Sequence, residues 1–199
     1  MTQPFIAPIV EGQGEEQATR ILLERISMTV SPALVARVNP PIRVKSGSFM
    51  NDDAYLSRYV ALAAAKAAQS SGFVLIMLDC EDDCPAQLGP VLLAKARKVR
   101  PDVPMVVALA YREYETWFVT AARSLAGCRG LPLDLVAPEN PEAYRDAKGW
   151  LGQRMPSGYD PVVDQASFTS TFSLCEAAKN PSFRRLLRRV RAQIRSMIN

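Results

Sequence analysis

Residues 73–78 are six consecutive large apolar side chains, Phe-Val-Leu-Ile-Met-Leu, entered through Ser71-Gly72. A strand that is apolar at every position has to be covered on both faces, which points to the middle of a parallel sheet layered with helices. The run leaves through Asp79-Cys80-Glu81-Asp82-Asp83, four carboxylates within five residues. Two like charges about 4 Å apart repel by roughly 4 kcal/mol at an effective dielectric near 20. The cluster is therefore unfavourable unless a divalent cation, a helix N-terminus or basic side chains stand beside it. Parallel α/β sheets bind ligands outside the carboxyl ends of their strands, and these acids lie at such an end.

The rest of the chain repeats the pattern. Residues 5–10 read as a first strand, with Pro8 suited to a position that donates no ladder bond. Glu11-Gly12-Gln13-Gly14 is a tight turn into a helix that runs to about Ser27. Glu11 falls at a strand exit and Glu15 in the first helical turn, where complementing the helix dipole competes with a functional role. Residues 33–38 and 42–44 are short apolar pieces split by Asn39-Pro40-Pro41, an interrupted second strand. Arg43, Lys45, Ser46, Gly47 and Ser48 form a basic loop that either approaches phosphate or is solvated surface. Asn51 or Asp52 can cap the alanine-rich helix that precedes Ser70-Ser71-Gly72.

Pro85 opens a helix after the acidic cluster, with Asp82 or Asp83 as candidate caps. Residues 105–110 give another buried strand, and its exit, Tyr111-Arg112-Glu113-Tyr114-Glu115, is acidic again. Helical spacing then runs from Trp117 towards Gly127. Strand and helix alternating with short connections predict an α/β fold with about four parallel strands flanked by helices over residues 1–127. Residues 128–199 read differently, as an irregular helical lobe packed on that sheet. It closes with an amphipathic helix whose apolar stripe is Phe183, Leu186, Leu187, Val190, Ile194 and Met197. Arg184, Arg185, Arg188, Arg189, Arg191 and Arg195 lie mostly off that stripe with no interleaved acid. A solvated face, or a surface for nucleic acid, anionic lipid or an acidic partner, would explain them.

Of 199 residues, 48% are hydrophobic and 22% charged, which excludes disorder and fits one main core. The N-terminus lacks a signal-peptide pattern and no apolar stretch is long enough to span a bilayer, so a cytoplasmic protein without membrane contact is expected. The chain has no histidine. Histidine-based triads, His proton relays and most zinc sites are therefore excluded, and the four cysteines read as reduced thiols. Trp117, Phe118 and Trp150 fit core packing better than base stacking.

Three strand exits carry acids: Glu11 with Glu15, Asp79 with Glu81, Asp82 and Asp83, and Glu113 with Glu115. Parallel strands end on one edge, so these groups are expected to converge into a hard oxygen site suited to Mg²⁺ or Mn²⁺. The reaction class this implies is phosphoryl transfer or phosphodiester hydrolysis. A glycosidase would need only a pair of acids. Arg43, Lys45, Arg112, Lys148, Arg184, Arg185 and Arg188 are candidate phosphate or nucleic-acid contacts.

Val10-Glu11-Gly12-Gln13-Gly14-Glu15 followed by Leu78-Asp79-Cys80-Glu81-Asp82-Asp83 resembles the TOPRIM pattern, a glutamate after the first strand and an acidic pair after a later one. The fuller set adds Asp83-Cys84-Pro85, Arg112-Glu113-Tyr114-Glu115-Thr116-Trp117-Phe118 and Asp146-Ala147-Lys148-Gly149-Trp150. It is similar to a bacterial TOPRIM-like family catalogued as a domain of unknown function, related to OLD-type nuclease domains. The resemblance implies a TOPRIM-like sheet and a divalent-metal-dependent nuclease acting on DNA or RNA. In it Glu11 would be acid/base or a metal ligand, Asp79 a ligand, and Glu81, Asp82 or Asp83 the second. Glu15 would correspond to the extra acid of two-metal OLD enzymes, and Glu113 and Glu115 to the family's own motif. It further implies a role in phage defence or a mobile-element system with an ATPase partner, because members of the family are often encoded beside one; the sequence itself has no G-x-x-x-x-G-K-S/T loop. A homodimer is left open. Two other functions fit the same acids: a noncatalytic accessory subunit with a vestigial site, and a metal-dependent phosphatase or nucleotide hydrolase.

Overall fold

A computed structural model describes residues 3–198. Strand β1, Phe5–Val10, leads into helix α1, Gln13–Met28, and then into two short strands, β2 at Arg37–Val38 and β3 at Ile42–Arg43. Helices α2, Ser46–Asn51, and α3, Asp53–Ala68, return the chain to β4, Phe73–Asp79. Helix α4, Pro85–Val99, precedes β5, Met105–Ala110, which runs on into α5, Glu115–Thr120. Helices α6, Ala147–Gly152, α7, Pro161–Thr171, α8, Leu174–Ala177, and α9, Pro181–Ile198, complete the chain. All the strand ladders are parallel, in the order β2-β1-β4-β5 with β3 also pairing β1. The expected α/β fold is thus what the chain adopts.

The run at 73–78 is the middle of the sheet, fully buried between β1 and β5. Alternate side chains feed two cores. Leu75 and Met77 join Ile6, Val10 and Val106 under α1, α5, α7 and α9, while Val74, Ile76 and Leu78 join Ala7, Ile9 and Val107 under α3 and α4. Residues 128–198 pack onto the first of these faces and share its core. An aromatic cluster joins them: Phe118 meets Phe168 and Phe172 edge-on at 5.6 and 5.4 Å, and Trp117 meets Phe183 at 5.2 Å. Trp117 Nε1 donates to Ser182 Oγ at 2.9 Å, so the indole is buried with its polar atom satisfied.

The proline in β1 has a local explanation. Pro4 O, Ile6 O and Val10 O accept from Arg37, Asn39 and Val44 N–H, so even-numbered residues of β1 face β2 and β3. Pro8 falls in that series opposite the Asn39-Pro40-Pro41 break, where its missing N–H leaves no ladder bond unmade. On the far side of the sheet Val107 O points outward from β5 and accepts from Arg189 Nη1 of α9 at 2.6 Å.

Some local expectations are corrected. Residues 46–48 belong to a short helix, α2, and not to an open loop. Asp52 caps α3 by accepting from Ala54 and Tyr55 N–H. Neither Asp82 nor Asp83 caps α4: Cys84 takes the N-cap without a side-chain bond, because Asp82 is drawn to two arginines and the Asp83 N–H is turned to Cys80 O. The helix expected from Trp117 onward breaks at Ala121 and continues as a 3-10 turn, Ala122–Leu125.

Candidate active site

Adjacent strands in one parallel sheet bring the exits of β1, β4 and β5 together at the mouth of a cleft of about 640 Å³. Glu11, Glu15, Asp79, Glu81, Asp82, Glu113 and Glu115 all line it. Asp83 does not. The opposite wall comes from the C-terminal part, with Arg145, Asp146, Lys148, Pro161, Val162 and Gln165. Gly14 lets that wall approach: a Cβ there would lie 2.2 Å from Pro161 O and 2.3 Å from Gln165 Oε1, so only glycine lets α1 and α7 meet this closely.

Of the acids that line the cleft, Glu15 and Glu115 are buried, at 4% and 1% exposure, and Asp79 is half-buried within the field of both. Glu15 Oε2 accepts from Glu11 N–H at 3.3 Å, yet burial, with the charges of Glu115 and Glu11, pushes its carboxyl up to about 7. Burial and the charges of Glu15 and Glu115 hold Asp79 well above the usual carboxylate range. Burial raises Glu115 too, against the pull of Lys148 and the Tyr159 hydroxyl, which donates to its Oε1 at 2.9 Å. Three acids displaced in the same direction mark a place with more negative charge than its surroundings neutralise.

Lys148 is the cation among them. Its Nζ lies 2.7 Å from Glu113 Oε2 and 3.3 Å from Glu115 Oε2. Burial acts against its charge, but Glu115, Glu113 and Asp79 outweigh this and hold the ammonium above its ordinary value. The same Glu113 accepts from Ala147 N–H at 3.1 Å, while Asp146 caps α6 through Gly149 N–H at 2.7 Å. Glu113 thereby fixes the helix that carries Lys148. Glu11 is held differently, by the hydroxyl of Ser46 on its Oε1.

At the rim, Asp82 pairs with Arg112 and, at 2.7 Å, with Arg145. Glu81 is exposed and adopts a left-handed backbone, φ 44°, as does Arg112 at 66°. The two exchange backbone hydrogen bonds, 3.2 and 3.1 Å, in a single antiparallel bridge. The remaining basic candidates lie elsewhere. Arg43 pairs with Glu16 at 3.4 Å on the surface, and Lys45, Arg184 and Arg188 are exposed. Arg185 lines a neighbouring hollow of about 280 Å³ that shares Asp82 with the cleft. Sequence reasoning missed Ser46 as a partner of Glu11, and Arg145 and Tyr159 altogether. Ser46 stood in the glycine-containing loop and Arg145 next to the Asp146 motif, but nothing in their spacing tied either to an acid.

Residues 10–191 match the family described as "Domain of unknown function (DUF4276)". The chain belongs to the DUF4276 family. No curated protein and no solved structure matches it. The match runs from the last residue of β1 into α9, so both walls of the DUF4276 cleft lie within it. Among the described residues no three acid or thiol side chains stand close enough together to form a ready cage for an ion. In this DUF4276 chain Glu11 is turned to Ser46, and Glu113 and Glu115 to Lys148. The donors nonetheless suit a hard divalent cation in type and charge: carboxylate oxygens, those of Glu15 and Glu115 buried, with the one ammonium of Lys148 engaged by Glu113 and Glu115.

Proposed function

We propose that the protein is a divalent-metal-dependent phosphodiester hydrolase of the TOPRIM kind, acting on nucleic acid. The observation that carries this reading is the convergence of Glu11, Glu15 and Asp79 from the exits of adjacent strands, with an excess of negative charge that Lys148 alone does not offset. The order of acids along the chain supports it as well. Glu11, Glu15 and Asp79 would hold Mg²⁺ or Mn²⁺, with Glu81 within reach on the rim. When bound, the ion supplies Lewis-acid polarisation of a phosphoryl oxygen and a more acidic water.

The chain's own residues divide the remaining work. The Ser46 hydroxyl orients Glu11, which is placed to take a proton from water entering the cleft. Glu15 holds or releases a proton near neutral pH, so that its charge appears only where a cation can offset it. Lys148, braced by Glu113, neutralises Glu115 and keeps the floor of the cleft from repelling a phosphate. A nucleotide-hydrolysing partner, action in phage defence and a cytoplasmic setting belong to the same reading. Among the described residues no helix is long and apolar enough to cross a membrane.

A noncatalytic accessory role is the second reading, favoured by Lys148 standing among the acids and by the lack of a ready ion cage. One experiment separates the two. Plasmid DNA, single-stranded DNA and RNA are incubated with the protein in Mg²⁺ or Mn²⁺, beside Glu11→Ala and Asp79→Ala. Cleavage that needs the ion and disappears in both variants is expected. Cleavage that survives in Asp79→Ala, or none with any substrate and either metal, refutes the hydrolase.

A further inference from the structure

We propose that Arg112 and Arg145 form a receiving site for a backbone phosphate at the rim of the cleft, kept closed by Asp82 until the phosphate displaces it. The proposal names a substrate contact for the same cleft and rests on the hydrolase reading. One carboxylate, Asp82, faces two guanidiniums, with Arg112 at Oδ1 and Arg145 at Oδ2. The group of three therefore carries a net positive charge, partly offset by Glu142, which also feels the charge of Arg112, beside an interior crowded with acids. A carboxylate and the two free oxygens of a phosphodiester present similar paired acceptors, and the planar fork of arginine suits both.

The two halves of this site differ in how firmly they are held. The Arg112 side chain is only 14% exposed, its guanidinium lies 4.8 Å over the Tyr111 ring, and its Nε is buried with no hydrogen-bond partner among the described residues. The left-handed bridge to Glu81 fixes its backbone, and non-glycine residues keep that conformation only where the surroundings enforce it. Asp82 and Arg145 are loose by comparison, at 59% and 71% exposure. Ion pairs that open to solvent are weak and exchange readily. A phosphate can thus take Arg112 as a fixed donor at the Nη1 that Asp82 now faces, and recruit Arg145 as Asp82 swings into solvent.

The test is equilibrium binding of a short fluorescein-labelled single-stranded DNA, read by anisotropy in EDTA so that no cleavage intervenes. Asp82→Asn is expected to tighten binding about tenfold, and Asp82→Asn with Arg145→Ala to lose that gain. Inorganic phosphate should compete with the DNA in Asp82→Asn and fail to do so in the double variant. Unchanged or weaker binding in Asp82→Asn, a gain that survives loss of Arg145, or no competition by phosphate overturns the proposal. Because the assay is metal-free, its outcome is independent of whether Asp79→Ala abolishes turnover.

Discussion

Glu15 is the residue whose environment has the most measurable consequence. Its carboxyl titrates near 7 in the fold, above its ordinary value, because it is buried beside other acids. The folded chain then binds a proton more tightly than the unfolded one. The stability this contributes is fully present below about pH 4.5 and is lost as pH rises through about 7, a total of about 3 kcal/mol. Urea denaturation should show stability falling between pH 5 and pH 8, and Glu15→Gln should flatten that slope and stabilise the protein at pH 8. A slope unchanged in Glu15→Gln would mean that another group governs it. The same excess charge predicts that millimolar Mg²⁺ raises the melting temperature at pH 8 and much less at pH 5, where protons already occupy the acids. Asp79→Asn should abolish that increment in a thermal melt. The sequence carried the identities of these acids but not their burial: Asp79 and Glu115 both follow strands there, whereas in the fold Glu115 is enclosed with the Tyr159 hydroxyl and Lys148 upon it and Asp79 is half-buried.

Elements bring the two walls of the cleft together, and the closest approach is α1 against α7. Gly14→Ala would force a Cβ to within 2.2 Å of Pro161 O. Overpacking of this kind costs about 1–3 kcal/mol, and a lower urea midpoint with an unchanged slope is expected. Strands β1, β4 and β5 were legible because unbroken apolar runs have few alternatives, and α9 because its stripe repeats at helical spacing. The cap of α4 was not. Asp82 and Asp83 have the right chemistry for a cap, but arginines 30 and 63 residues further along claim Asp82, and such long-range competition leaves no local mark. The bridge between Glu81 and Arg112 was equally invisible, since neither residue type advertises a left-handed backbone.

At the scale of the whole molecule, the sheet and the C-terminal part share one core, with Phe168, Phe172 and Phe183 packed against Trp117 and Phe118. Each large apolar side chain left in water would forgo about 1.5–3 kcal/mol. A fragment ending at residue 127 should therefore lack a cooperative unfolding transition and bind ANS, whereas the full chain unfolds sharply. A well-dispersed amide spectrum from the fragment would show instead that the sheet stands alone. The change of pattern after residue 127 is real in the sequence, but sharing of a core is not something periodicity encodes. The two margins of the sheet have a further consequence. On one side the outer strand is cut in two by Pro40 and Pro41, and on the other Arg189 occupies an outward carbonyl of β5. The first margin is interrupted and the second is partly covered by α9, and both features blunt the pairing of an edge with a neighbouring chain. Lengthening the sheet from the β5 side would first require Arg189 to release the Val107 carbonyl, so α9 acts as a guard on that edge.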